Sequence, residues 1–162
     1  MRRVIGVMLP VLALCVACSR GPEPAGDGLL TKLSTDYAPY QACVVDGLRT
    51  RRDFDGRLPE MIVQAGLADS LQDASRRYLG QASDLAALDE TGRVEATRQA
   101  LQALGAFGAA IGQGSEQSYP DNVRRQMSMV EVMQIMAAAA SVDCSPSDSL
   151  LSAMEVANNE YF

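Results

Sequence analysis

From Leu29 onward the apolar residues recur every three or four positions, the period of an amphipathic helix. Leu29, Leu33, Tyr37, Tyr40, Val44 and Leu48 form the first such stripe, on a helix predicted from about Leu29 to Arg52. Pro39 lies inside it and is expected to kink the helix or split it near Asp36. Asp53-Phe54-Asp55-Gly56 reads as a turn, and Pro59 as the first position of a short helix to Gln64 that Gly66 ends. Asp69 or Ser70 then opens a longer helix to about Leu88. Thr91, supported by Glu95, reads as the cap of the next helix, striped by Val94, Leu101, Leu104 and Ile111. Gly105, Gly108 and Gly112 share its spacing, which in water signals close helix contact or a fraying end. A polar loop, 112–119, leads to Pro120 at the start of a helix to about Val142. That helix is apolar almost all round, with Glu131, Gln134 and Ser141 as one narrow polar edge, so it is expected at the centre. Ser145 as cap and Pro146 as first position start the last helix, carrying Leu150, Leu151, Met154 and Val156. Its terminal Tyr161-Phe162 pair is expected to pack on the core.

No run alternates β-branched or aromatic with polar residues, and Ala, Leu, Met and Gln favour helix throughout. No internal repeat suggests a solenoid. The pattern predicts an all-α fold: a single compact bundle of five or six helices over residues 29–162, with one disulfide.

The first residues follow a different rule. Met1-Arg2-Arg3 is a positive start, and Val4 to Ala17 is an apolar run too short for a comfortable membrane span. Cys15-Val16-Ala17-Cys18-Ser19 resembles the lipobox of bacterial lipoproteins, in which a small residue precedes a cysteine that is lipidated and becomes the new N-terminus. Ala17 matches the small position, while Cys15 stands where Leu is usual. The competing register, Leu12-Ala13-Leu14-Cys15, has the Leu but a bulky Leu14 before the cysteine, so Cys18 is preferred over Cys15. The resemblance implies a signal peptide at 1–17, an acylated Cys18 and, from Ser19, sorting to the outer membrane. Residues 18–28, rich in Gly and Pro, read as a flexible tether.

Export changes the meaning of the two remaining cysteines. In an oxidising space Cys43 and Cys144 are expected to pair, tying the first helix to the connection before the last. Charge narrows the partners. Removing Arg2 and Arg3 leaves 12 basic against 20 acidic residues, a net −8 that repels nucleic acid. The chain has no His, which removes the Ser-His-Asp triad and the commonest metal ligand. Lys32 is the single lysine and nothing supports it as a nucleophile. Asp53-Phe54-Asp55-Gly56 fails the calcium-loop spacing, because Arg51 and Ile62 would stand at ligand positions.

Three groups invite chemistry and have a plainer meaning beside it. Asp84, Asp89 and Glu90 are candidate paired carboxylates for glycan cleavage, or a solvated helix end. Met127, Met129, Met133 and Met136 are core filling, a soft copper site, or an adaptable groove for a partner segment. Arg76-Arg77 and Arg124-Arg125 are helix-surface ion pairs, for example Asp121 with Arg125, or docking spots.

The sequence thus points to an outer-membrane-anchored periplasmic lipoprotein acting as a non-catalytic protein-binding module, with no catalytic residue, cofactor or metal expected. Its partner would be another envelope protein, and the membrane would be met through the lipid. In outline it resembles helical pilotins and periplasmic immunity proteins, by architecture alone. The alternatives are an envelope cell-wall hydrolase and a small-ligand or copper carrier. Non-reducing mass analysis of the native protein checks the address: acyl groups on Cys18 and no free thiol at Cys43 or Cys144 are expected.

Overall fold

The computed structural model describes residues 25–51, 54–110 and 118–162. Six α-helices make up these residues: α1 (Ala25–Arg49), α2 (Phe54–Gln64), α3 (Ala68–Leu79), α4 (Glu90–Ala109), α5 (Tyr119–Ala139) and α6 (Asp148–Tyr161). A short 3₁₀ turn, Leu85–Ala87, precedes α4. Among the described residues there is no strand, so the all-α bundle holds. None of these helices is long and apolar enough to cross a membrane.

Helix α5 occupies the centre and touches each of the other five helices. Val123, Met127, Val130, Val132, Ile135 and Ala137 are its buried contribution. The stripe predicted on α1 is the surface that meets the core: Leu33, Tyr37, Tyr40, Val44 and Leu48 are all buried. Ile62, Leu71, Leu104 and Leu150 bring α2, α3, α4 and α6 into the same core, each with almost no exposure.

Several boundaries differ from expectation, each for a local reason. Helix α1 begins at Ala25, inside the stretch assigned to the tether. Gly26 and Gly28 weaken a helix by about 1 kcal/mol each, but a helix nucleated further along propagates through them. It also runs unbroken through Pro39. The bond Pro39 cannot donate would go to the Thr35 carbonyl, and both residues are exposed, so water can replace it. Helix α2 starts at Phe54 and carries Pro59 inside, so the expected turn at 53–56 is helical from Phe54, while residues 52 and 53 lie outside the described residues.

Helix α3 stops at Leu79, well short of Leu88. Gly80 adopts a left-handed φ of 71° and its N–H reaches the Arg76 carbonyl at 3.1 Å, a glycine C-terminal stop. The cap of α4 is Asp89, not Thr91, because its carboxylate accepts the Gly92 N–H at 2.8 Å. Helix α5 starts at Tyr119 behind the cap Ser118, and ends at Ala139, where Ser141 turns left-handed with φ 49°. The cap of α6 is Ser147 rather than Ser145, its hydroxyl accepting the Leu150 N–H at 3.1 Å.

Cys43 and Cys144 form the expected disulfide, with Cα atoms 6.1 Å apart, between α1 and the connection from α5 to α6. Around it the Arg51 guanidinium donates to the Ser141 carbonyl at 3.1 Å, and Val142 packs over Gly47, where a side chain would collide. The predicted packing of the tail holds for Tyr161, whereas Phe162 stays half-exposed. Phe162 meets Tyr78 edge-on at 5.5 Å and Tyr161 meets Tyr119 at 5.9 Å.

The disulfide spans a sequence separation of 101 residues, for which the chain-entropy estimate is about 4–5 kcal/mol. Urea unfolding of Cys43→Ser/Cys144→Ser against the oxidised protein is expected to show a loss of that order. Equal stabilities would show that the bridge constrains nothing.

Candidate functional site: a methionine-lined cleft

Two helical faces, packed on each other, line a cleft that is open to solvent. From α4 come Leu101, Leu104, Gly105 and Ala109; from α5 come Met129, Val132, Met133 and Met136. Each set follows the three-and-four spacing of one helix face. Tyr37 of α1 and Leu58 of α2 complete the lining, and the cleft, open to solvent, has a volume of about 370 Å³. Two glycines set the shape. A Cβ on Gly108 would stand 2.5 Å from the Met129 Cγ, so the helices approach closely there. At Gly105 a Cβ would meet nothing within 4 Å, so its missing side chain leaves open space.

The walls are apolar and flexible. Met129, Met133 and Met136 are half-buried, with thioethers able to adjust to what they touch. Gln102 is the exposed polar side chain of the lining, and among the described residues no charged side chain belongs to it. Tyr37 is buried, and its hydroxyl has no hydrogen-bond partner among the described residues. Burial, with Tyr40 adding to it, pushes its pKa up to about 12, so it stays a neutral donor. The sequence grouped four methionines. The structure separates Met127, which is core, from the three that share the cleft.

The other sequence candidates have structural employment. Asp84 caps the 3₁₀ turn by accepting the Ala86 N–H at 3.1 Å, Asp89 caps α4, and Glu90 is exposed in its first turn. Among the described residues no three His, Cys, Asp or Glu side chains converge on a metal-sized space. Cys15 and Cys18 lie outside the described residues.

The arginine doublets divide. Arg76 pairs with Asp73 at 2.6 Å, and Arg77 pairs with Glu131 at 3.1 Å. The expected Asp121–Arg125 pair does not form. Asp121 accepts the Ser118 hydroxyl at 2.6 Å, while Arg125 stacks over the Phe107 ring at 5.5 Å. Arg124 reaches the Tyr161 carbonyl at 3.1 Å and lies over the Phe162 ring.

Two features were missed from sequence. Tyr78 donates to Glu131 at 2.7 Å, and burial followed by that neighbouring carboxylate pushes the phenol strongly up. Gln72 is buried, accepts the Ser83 N–H at 3.2 Å and lines a polar depression of about 310 Å³ between α3, α4 and the connection that joins them. Its signal was Gly80, whose early stop creates the connection that Gln72 holds.

Compared with protein-family models, curated proteins and solved structures, the chain matches none. What fold and site define together is a disulfide-stapled helical bundle with one side of its central helix opening into an apolar cleft.

The tyrosines give the site a pH signature. Tyr37 and Tyr78 titrate higher folded than unfolded, so the folded state holds their protons more tightly. The stability Tyr37 contributes is complete below the ordinary value of 10.0 and is lost as pH rises through about 12, and Tyr78 acts in the same direction. Urea midpoints are expected to fall from pH 10 upward, and Tyr37→Phe should flatten the descent. The same slope in the variant would remove Tyr37 from the account.

Proposed function

We propose that this chain is a lipoprotein anchored in the outer membrane through Cys18, facing the periplasm and acting as a non-catalytic protein-binding module. The observation that carries the binding half is the methionine-lined cleft. It presents an apolar, uncharged surface with adaptable thioethers, the chemistry that accepts the apolar face of a partner helix. A helix is about 10–12 Å across, so only a row of its side chains would enter a space of about 370 Å³. This favours the pilotin-like form of the proposal, in which a short amphipathic segment of an envelope client docks on α4 and α5. The lipidation half rests on the lipobox resemblance of Cys15 to Ser19 and on the disulfide, which suits an oxidising space.

A photo-reactive amino acid at Gln102, beside the cleft, tests the binding half in intact envelopes. The expected product joins Gln102 to one amphipathic helical segment of an envelope protein, disappears with Met133→Lys, and is not formed from Asn158 on α6. Equal products from both positions, or none from Gln102, would overturn it. Labelled palmitate tests the anchor: incorporation is expected in the wild type and lost in Cys18→Ala.

A further inference from the structure

The cleft has a second occupant close at hand. Cys18 stands seven residues before Ala25, where α1 begins. Seven residues span at most about 24 Å. Tyr37, which lines the cleft, is twelve residues along α1, or about 18 Å from Ala25 at 1.5 Å per residue. An acyl group on Cys18 therefore reaches the level of the cleft before its own length is counted.

The chemistry of the walls selects among lipids. A free fatty acid brings a carboxylate and a phospholipid brings a phosphate, and either would need a cation. Among the described residues none lines the cleft. The acyl linkages of a lipoprotein anchor are esters and an amide, neutral groups with carbonyl acceptors. Among the described residues the lining carries no charge, so a neutral ester or amide meets no electrostatic mismatch there. A volume of about 370 Å³ also suits one slender chain, being within the usual range of about 300–1,000 Å³ for small-ligand sites.

We infer that one acyl chain of the Cys18 anchor folds back into the methionine-lined cleft and occupies it until a client helix displaces it. This rests on the lipoprotein reading above and adds a regulation to the same site. The cleft is kept filled without a client, and docking of a client returns the chain to the bilayer.

The test uses the full chain in its own envelope. Cells are fed a diazirine-bearing fatty acid, irradiated, and the protein is reduced, digested and sequenced by mass spectrometry. The expected product joins the acylated peptide beginning at Cys18 to a peptide containing Leu101–Ala109 or Met129–Met136. It should be lost in Gly105→Trp, which fills the cleft from an exposed position where a Cβ meets nothing within 4 Å. Circular dichroism confirms that this variant folds, and Met133→Lys serves as a second variant. Acyl label on Cys18 with crosslinks only to phospholipid would overturn the inference and leave the lipoprotein reading standing. A cleft peptide carrying a phospholipid or a free fatty acid would overturn the assignment to the anchor. No acyl label on Cys18 would overturn both readings together.

Discussion

Residues 125–137 of α5 include no exposed position. A helix whose side chains are all at least partly buried has to be largely enclosed, because each apolar side chain left in water forfeits about 1.5–3 kcal/mol. Five helices do the enclosing, and their order around α5 is the architecture of the molecule. The buried stripe of α1 lies on one flank and α3 and α4 on others, and each amphipathic helix turns its apolar face inward for the same reason. Cylinders packed around a cylinder do not cover it uniformly. The gap falls between α4 and α5 beyond the close approach at Gly108, where Gly105 contributes no side chain and three thioethers form the wall. The cleft is thus produced by the enclosure itself.

The same constraint explains where the covalent staple and the terminal contacts lie. Helix α6 meets α1 and α5, and three devices fix it. At its start Ser149 donates to Asp36 of α1 at 2.6 Å. Just before it, Cys144 is bonded to Cys43. At its far end Arg124 holds the Tyr161 carbonyl while Phe162 lies against Tyr78. The connection between α5 and α6 is short and carries a left-handed Ser141, a conformation that costs free energy in a residue with a side chain. The Arg51 bond to its carbonyl and the nearby disulfide hold the chain there.

How much of this was legible in the sequence depended on the range of the interaction involved. The α1 stripe and the all-round apolarity of α5 are signals summed over many residues, and both were read correctly. The cystine pair was legible because reading Met1 to Cys18 as an export segment leaves two cysteines with one partner each. Boundaries set by one residue were read less well. Gly80 falls inside the helix predicted to Leu88, and only its left-handed backbone conformation shows it as a stop. Asp89 and Thr91 are both good caps, and sequence alone does not say which carboxylate or hydroxyl finds the free N–H. Ser145 and Ser147 posed the same choice. The cleft was half legible: the shared face of Met129, Met133 and Met136 follows from spacing, but the opposing face of Leu101, Gly105 and Ala109 depends on how α4 crosses α5. Arg125 was assigned to Asp121 by spacing, yet Ser118 claimed the acid and Phe107 the guanidinium.

A neutral cleft in a chain of net charge −6 has a physical consequence for selectivity. The surrounding acids disfavour anionic ligands at long range, and the lining offers them no compensation at short range. What remains is recognition by apolar contact, which by itself discriminates poorly between chains and side chains of similar width. Specificity must then come from delivery rather than from contact. Under the proposed anchoring, an acyl group tethered by seven residues would meet the cleft at an effective concentration in the millimolar range, far above that of the same group free in solution. A client helix competes with that tethered group only if several of its side chains engage at once along α4 and α5. Under the proposed address, isolated apolar segments in the periplasm would be excluded by the anchor, and only a helix matched to the length of the cleft would gain enough contact to enter.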